Sequence, residues 1–146
     1  RLELAKLAIE KLMSFEAWDY FMEAGREIIG LQRAPETAIS MSLALDWLAP
    51  RLNAATQERM RGQIAEKGCR PCFRTLFGMR HPEKVVGWGY APWINLEPRD
   101  FSRWPVILDT TNLKAIPIAG LAVGALALEP GHPDRADWLE MARHGY

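Results

Sequence analysis

Apolar residues recur at helical spacing along most of the chain. In the opening segment Leu4, Leu7, Ala8 and Leu12 lie on one stripe, which is the pattern of an amphipathic helix. Similar stripes, separated by glycine, proline or capping residues, predict helices at residues 2–13, 14–30, 35–48, 54–67, 69–79, from 112 or 117 to 128, and 133–143. We expect Gly68 to end the fourth of these helices.

A long connection of different character separates the fifth and sixth predicted helices. Between residues 80 and 111, repeated prolines and glycines exclude long regular structure. Long connections inside compact domains are usually functional or disordered, and a high aromatic content argues against disorder. The aromatic side chains of this connection are Trp88, Tyr90, Trp93, Phe101 and Trp104.

The pattern as a whole predicts an all-α fold built from antiparallel helix hairpins. No segment shows β-strand alternation of useful length. We expect a single helical domain over residues 1–146, with the aromatic-rich connection at 80–111. Because the chain starts and stops in predicted helix, we also expect it to be a fragment of a longer protein, so the lack of a signal-peptide pattern does not locate that protein.

Charge and hydropathy narrow the range of partners. Lys plus Arg and Asp plus Glu both number 18, so the formal net charge is zero. Nucleic-acid binding normally needs a clustered basic surface, so we expect no nucleic-acid partner. The longest apolar run, at residues 115–128, contains Pro117 and is too short to cross a bilayer, so we expect no membrane partner. Six tryptophans suit either a packed core or exposed rings that stack on sugars.

Cysteine and histidine offer little recognisable chemistry. Cys69 and Cys72 have the CxxC spacing of redox proteins, but no strand precedes the helix that such a site needs. A zinc site would need two further ligands, and His81 is the only candidate nearby. A local disulfide or two free thiols remain, and we expect neither a metal nor a cofactor. His132 and His144 lie far from any nucleophile motif and are expected at the surface or in turns.

Three segments carry a family resemblance. They are residues 30–36 (GLQRAPE) with the apolar helix 42–48 (SLALDWL), residues 64–71 (IAEKGCRP), and residues 111–116 (TNLKAI) with the helix at 119–128. In order and spacing they resemble the N-terminal helical domain of heparinase II/III-like polysaccharide lyases. The resemblance covers most of the chain and implies part of an incomplete (α/α) toroid.

The resemblance also implies a reaction, the β-elimination of uronate-containing polysaccharide. In such lyases an asparagine neutralises the uronate carboxylate, and a tyrosine or histidine removes the C5 proton. The asparagine motif of the family falls on Thr111, Asn112, Leu113 and Lys114, and only Asn112 matches it. A simpler hypothesis is that Asn112 caps the following helix. The tyrosine of the family lies downstream and its further histidines lie in a C-terminal β-sandwich domain, so we expect this chain alone to be inactive.

Substrate is expected to run along a groove beside residues 80–112. Arg103 or Lys114 would bind acidic sugar, and Trp88, Trp93 or Trp104 would stack on sugar rings. The partners implied are an acidic polysaccharide and the β-sandwich domain, in a periplasmic or extracellular protein. The alternative is a non-catalytic helical module that binds glycan or packs on a partner protein.

Overall fold

The computed structural model describes residues 1–97 and 99–145, and Pro98 and Tyr146 lie outside the described residues. The chain is mostly helical, as predicted. The helices are α1 (Leu2–Ser14), α2 (Arg33–Leu48), α3 (Ala54–Gln63), α4 (Arg70–Arg80), α5 (Trp104–Asp109), α6 (Ala115–Ala127) and α7 (Arg135–Arg143). Short 3₁₀ turns occupy Ala49–Arg51 and Asn112–Lys114, and a π-helical segment occupies Ile64–Cys69.

A small antiparallel sheet corrects the all-α prediction and replaces the helix predicted at residues 14–30. Its strands are β1 (Met22–Ala24), β2 (Glu27–Ile28) and β3 (Gly89–Tyr90), in the order β2-β1-β3. Gly25 and Arg26 both have positive φ, at 62° and 69°, which is the backbone of a tight hairpin turn. The third strand comes from the aromatic-rich connection, where Tyr90 pairs with Met22. Pairing between such distant residues overrides the helical spacing of the apolar side chains.

The helix predicted to end at Gly68 continues through it. α3, the π-helical segment and α4 form one uninterrupted helical run, so Gly68 is not a break. A β-carbon at position 68 would lie 2.7 Å from the β-carbon of Ala38. This glycine therefore serves the close approach of α2 to the π-helical segment, which is a packing role.

The helices form two antiparallel hairpins. In the first, α2 packs against the run from α3 to α4: the amide of Gly30 donates to Pro71 O (3.0 Å) at one end and Gln57 Nε2 donates to Ala49 O (3.0 Å) at the other. In the second, α6 packs against α7, and Arg135 Nε donates to a carbonyl of α6 at 3.1 Å.

The two hairpins stack side by side with equivalent helices parallel. Gly120 of α6 lies against Pro35 of α2, and one turn further along both helices Gly124 faces Ala38. The ascending order of these contacts shows that α2 and α6 run in the same direction. Helices α4 and α7 are parallel in the same way, with Arg70 near the start of α7 and Arg80 near its end. The core is formed by α2, the π-helical segment, α4, α6 and α7, and it extends to α1 and the sheet. Among the described residues, no helix combines the length and apolar character needed to span a membrane.

Candidate functional site

A ridge formed by α5 and the 3₁₀ turn Asn112–Lys114 stands between two cavities. Leu108 and Leu113 line one cavity, whereas their chain neighbours Asp109 and Lys114 line the other. Adjacent residues on the ridge therefore face different environments. We call the first space the aromatic cavity and the second the cationic cavity.

The aromatic cavity has a volume of about 330 Å³ and lies at the N-terminal end of α2. Tyr20, Phe21 and Trp104 contribute aromatic surface, and Gln32 and Arg33 contribute polar groups at its rim. A concave apolar surface with a few polar groups is the usual form of a small-ligand site.

A chain of aromatic contacts supports the wall of this cavity. Phe21 meets Tyr90 edge-to-face with ring centroids 5.2 Å apart, Tyr90 meets Phe101 at 4.8 Å, and Phe101 meets Trp104 at 5.1 Å. Such pairs stabilise beyond the area that they bury. The aromatic-rich connection is thus joined to β1 and to the ridge by direct ring contacts.

Asp19 organises the backbone at the floor of the aromatic cavity. Its side chain is buried, and its Oδ2 accepts hydrogen bonds from the amides of Leu31, Gln32, Arg33 and Ala34 at 3.1–3.3 Å. These are the amides that a helix N-terminus leaves without an intrahelical partner. Because Asp19 lies 12–15 residues before them in sequence, no local capping pattern could have identified it.

The cationic cavity has a volume of about 350 Å³ and lies where α4, the ridge and α7 meet. Its polar lining consists of Arg80, Asp109, Lys114 and His144. Lys114 Nζ lies 3.2 Å from Asp109 Oδ1, and Arg80 Nη2 donates to His144 O at 2.9 Å. His144 is exposed and lies in a turn, as predicted, but Arg80 was not predicted as a binding residue, because only the packing of α4 beside α7 brings these two residues together.

Asn112 lies exposed on the ridge and does not cap the following helix. The residue before α6 is Lys114, which makes no side-chain cap hydrogen bond, whereas Thr111 caps the 3₁₀ turn, since its hydroxyl accepts from the amide of Leu113 at 3.3 Å. The capping hypothesis for Asn112 is therefore wrong. Asn112 lines neither cavity itself, but the next two residues, Leu113 and Lys114, line one each.

The tryptophans predicted to stack on sugars occupy three different environments. Trp88 is only 9% exposed and packs against Gly78 of α4, so burial removes it from the candidates. Trp93 is 60% exposed, and its Nε1 donates to Tyr20 O at 2.7 Å beside the aromatic cavity. Trp104 is half-buried in the cavity wall, and Arg103 is exposed just before α5.

Cys69 and Cys72 are free thiols, both fully buried. Burial raises the pKa of Cys69 from an ordinary 9.0 to about 12, and it raises the pKa of Cys72 as well. Redox and metal chemistry both need the thiolate, which this environment disfavours. Within the described residues, no cluster of three or more His, Cys, Asp or Glu side chains is placed to hold a metal ion.

We therefore expect the two thiols to be inert in the folded chain and to react with a thiol reagent only after unfolding in urea. Rapid labelling of the folded chain would contradict this prediction.

The raised pKa of Cys69 also makes the free energy of unfolding depend on pH. The unfolded thiol ionises near pH 9 and the folded one only near 12, so its contribution is complete below pH 9 and is lost as pH rises toward 12. Urea midpoints at about pH 8 and about pH 10.5 measure this loss, and Cys69→Ala should reduce it.

No protein-family model, curated protein or solved structure matches this chain. The functional assignment therefore rests on the geometry of the ridge and its two cavities.

Proposed function

We propose that this chain is the helical, substrate-binding portion of a polysaccharide lyase that cleaves uronate-containing polysaccharide by β-elimination. The observation that carries the proposal is the ridge, which has aromatic surface on one side, cations on the other and Asn112 between them. An acidic glycan that crosses the ridge would meet all three.

The two sides suit the two chemical faces of a uronate. A pyranose ring presents apolar C–H surface, which packs on exposed or half-buried aromatic rings such as Trp93 and Trp104. Its carboxylate is recognised best by Arg and Lys donors, and Lys114 supplies one on the opposite side of the ridge. Arg103, exposed at the start of α5, supplies another.

Asn112 is proposed to act on the carboxylate of the sugar at the point of cleavage. A neutral amide donates hydrogen bonds to the enolate-like charge that develops as the C5 proton leaves, without adding a positive charge. Since Thr111 caps the 3₁₀ turn, the Asn112 side chain is not needed for capping and can contact a ligand. The proton acceptor would be the tyrosine or histidine that the family resemblance implies.

The stacking of the hairpins supports a place in an incomplete (α/α) toroid. Two antiparallel hairpins lie side by side with α2 parallel to α6, and repeating such a step with a small rotation generates a curved array of hairpins. The acidic polysaccharide and a C-terminal β-sandwich domain are the partners that this proposal implies.

We expect the chain to bind a tetrasaccharide of 1,4-linked uronic acid in preference to cellotetraose. Trp93→Ala should raise the dissociation constant about tenfold, because it removes an exposed ring whose position is fixed by the hydrogen bond to Tyr20. Asn112→Asp should raise it by about the same factor, since it sets a carboxylate against that of the sugar. Isothermal titration calorimetry at low salt measures both.

Trp47→Ala is the matched control for this titration. Trp47 is 70% exposed, like Trp93, but it lies at the end of α2 remote from Arg33 and the aromatic cavity. Its replacement should leave binding unchanged. Equal losses for Trp47→Ala and Trp93→Ala, or equal affinity for the acidic and neutral tetrasaccharides, would refute the proposal.

A protein-interaction module is the second candidate, favoured by one observation. Leu4 and Leu7 of α1 are 72% and 67% exposed, on the side of the helix away from the buried Ile9 and Met13. A second apolar stripe of this kind suits a partner helix. The titration separates the two candidates, because a protein-interaction module is not expected to bind the uronate tetrasaccharide at the ridge.

A further inference from the structure

We infer that the cationic cavity is a second binding site, separate from the aromatic surface, which takes the oxyanion group of a sugar, a carboxylate or a sulfate ester, between Arg80 and Lys114. The inference deepens the proposed function and rests on it for the identity of the ligand as a sugar. The sequence pattern placed a substrate groove beside residues 80–112 but assigned no binding role to Arg80.

Arg80 is an arginine held ready for an anion. No Asp or Glu of the described residues lies within 4.0 Å of its guanidinium. Its Nη2 donates to His144 O at 2.9 Å, which orients the group at the wall of the cavity. A guanidinium has five N–H donors in a planar fork that matches the two oxygens of a carboxylate or sulfate. The other donors of Arg80 are therefore available to a ligand.

Lys114 supplies the second cation from across the cavity. Its side chain is 25% exposed, so the ammonium is partly removed from water, and it reaches Asp109 Oδ1 at 3.2 Å. An ammonium carries three donors, so this ion pair does not exhaust it. Arg80 and Lys114 outnumber Asp109 among the charged groups of the lining, and His144 directs its Nε2 to Glu140 at 2.8 Å. The cavity therefore carries net positive charge in a chain of formal net charge zero.

The size of the cavity suits the ring that carries the anion. Leu76, Met79 and Met141 close it behind the two cations, and all three side chains are buried. The volume of about 350 Å³ is that of a small-ligand site. A monosaccharide therefore matches the cavity in size, with its oxyanion between the two cations.

A third cavity of the chain, smaller than the aromatic and cationic cavities, provides a matched comparison. It lies between α1 and the start of α3, has a volume of about 150 Å³, and is also lined by one lysine and one arginine, Lys6 and Arg51. Lys6 pairs with Glu3 at 3.0 Å, much as Lys114 pairs with Asp109. It has the same cation types but less than half the volume, so it should not hold a sugar.

The test is an NMR titration of the isotope-labelled chain with glucuronate, glucose 6-sulfate and glucose. We expect the Arg80 Nε and Gly145 amide resonances to shift with at least one acidic sugar and not with glucose. The acidic sugar that shifts these resonances at the lower concentration shows whether the cavity prefers a carboxylate or a sulfate ester. The double variant Arg80→Met, Lys114→Met should weaken binding of the acidic sugar by about tenfold. The affinity of Arg80→Lys should lie between those of the double variant and the unmodified chain, because lysine keeps the charge and loses the planar fork of donors.

The control is Lys6→Met with Arg51→Met, which should bind the acidic sugar as the unmodified chain does. Equal shifts with glucose, no shift with either acidic sugar, or an equal loss in the control variant would overturn the inference. If glycan binding depends on Trp93 but not on Arg80, this inference fails alone. If acidic monosaccharides depend on Arg80 while the uronate tetrasaccharide ignores Trp93 and Asn112, only the proposed function fails.

Discussion

Gly120→Ala is expected to destabilise the chain by about 3 kcal/mol, whereas Gly62→Ala is expected to stabilise it by about 1 kcal/mol. Both glycines lie within helices, where alanine is intrinsically favoured. At position 120, however, a β-carbon would lie 2.5 Å from the α-carbon of Pro35. The obstacle is backbone of α2 rather than a flexible side chain, so α6 would have to move away from α2.

Gly62 is the matched control because a β-carbon there would meet nothing within 4 Å. Urea denaturation followed by far-ultraviolet circular dichroism gives both free energies of unfolding. The result also tests the stacking of the two hairpins, since the opposite signs follow only if Gly120 packs on α2. A neutral or stabilising Gly120→Ala would contradict the close packing of α6 on α2 at this position.

Asp19→Ala is expected to cost about 3 kcal/mol of stability, which is more than the usual loss of a helix cap. One buried carboxylate serves the amides of Leu31, Gln32, Arg33 and Ala34 at the start of α2. Removing it leaves the buried Ala34 amide and the half-buried Leu31 amide without their acceptor. Asp19→Asn keeps one acceptor oxygen and loses the charge, so it should cost less, about 2 kcal/mol.

Asn53→Ala provides the ordinary cap for comparison. Asn53 accepts from the Thr56 amide at 2.8 Å in an exposed setting, and its loss should cost about 1 kcal/mol. Unfolding free energies rank the variants, and hydrogen exchange at Ala34 reports whether the N-terminus of α2 loosens first. Equal costs for Asp19→Ala and Asn53→Ala would show that water replaces the Asp19 carboxylate.

The Asp19 network also shows where prediction of the site from sequence stops. Lys114 and Trp104 were predicted as binding residues and do line cavities. Asp19, Arg80 and His144 were not predicted to line them. Their positions depend on which helices pack together, and no spacing within one segment records that.

Local pattern determined much of the secondary structure. The helices α1, α2 and α6 begin and end within a few residues of the predicted bounds, because an apolar stripe and its flanking prolines or caps act within about ten residues of chain. Among the described residues between 80 and 111, the elements after α4 are short, which follows equally from local proline and glycine.

Only the tertiary structure decided what those elements face. The strand β1 pairs on one side with β2 and on the other with Gly89 and Tyr90, which lie more than sixty residues later in the chain. Trp88 is buried and Trp93 is exposed, although the two lie five residues apart in a segment of uniform composition. Strand pairing and burial both depend on contacts between segments that are distant in sequence. Their free energy is gained only once α4, α6 and the ridge have packed.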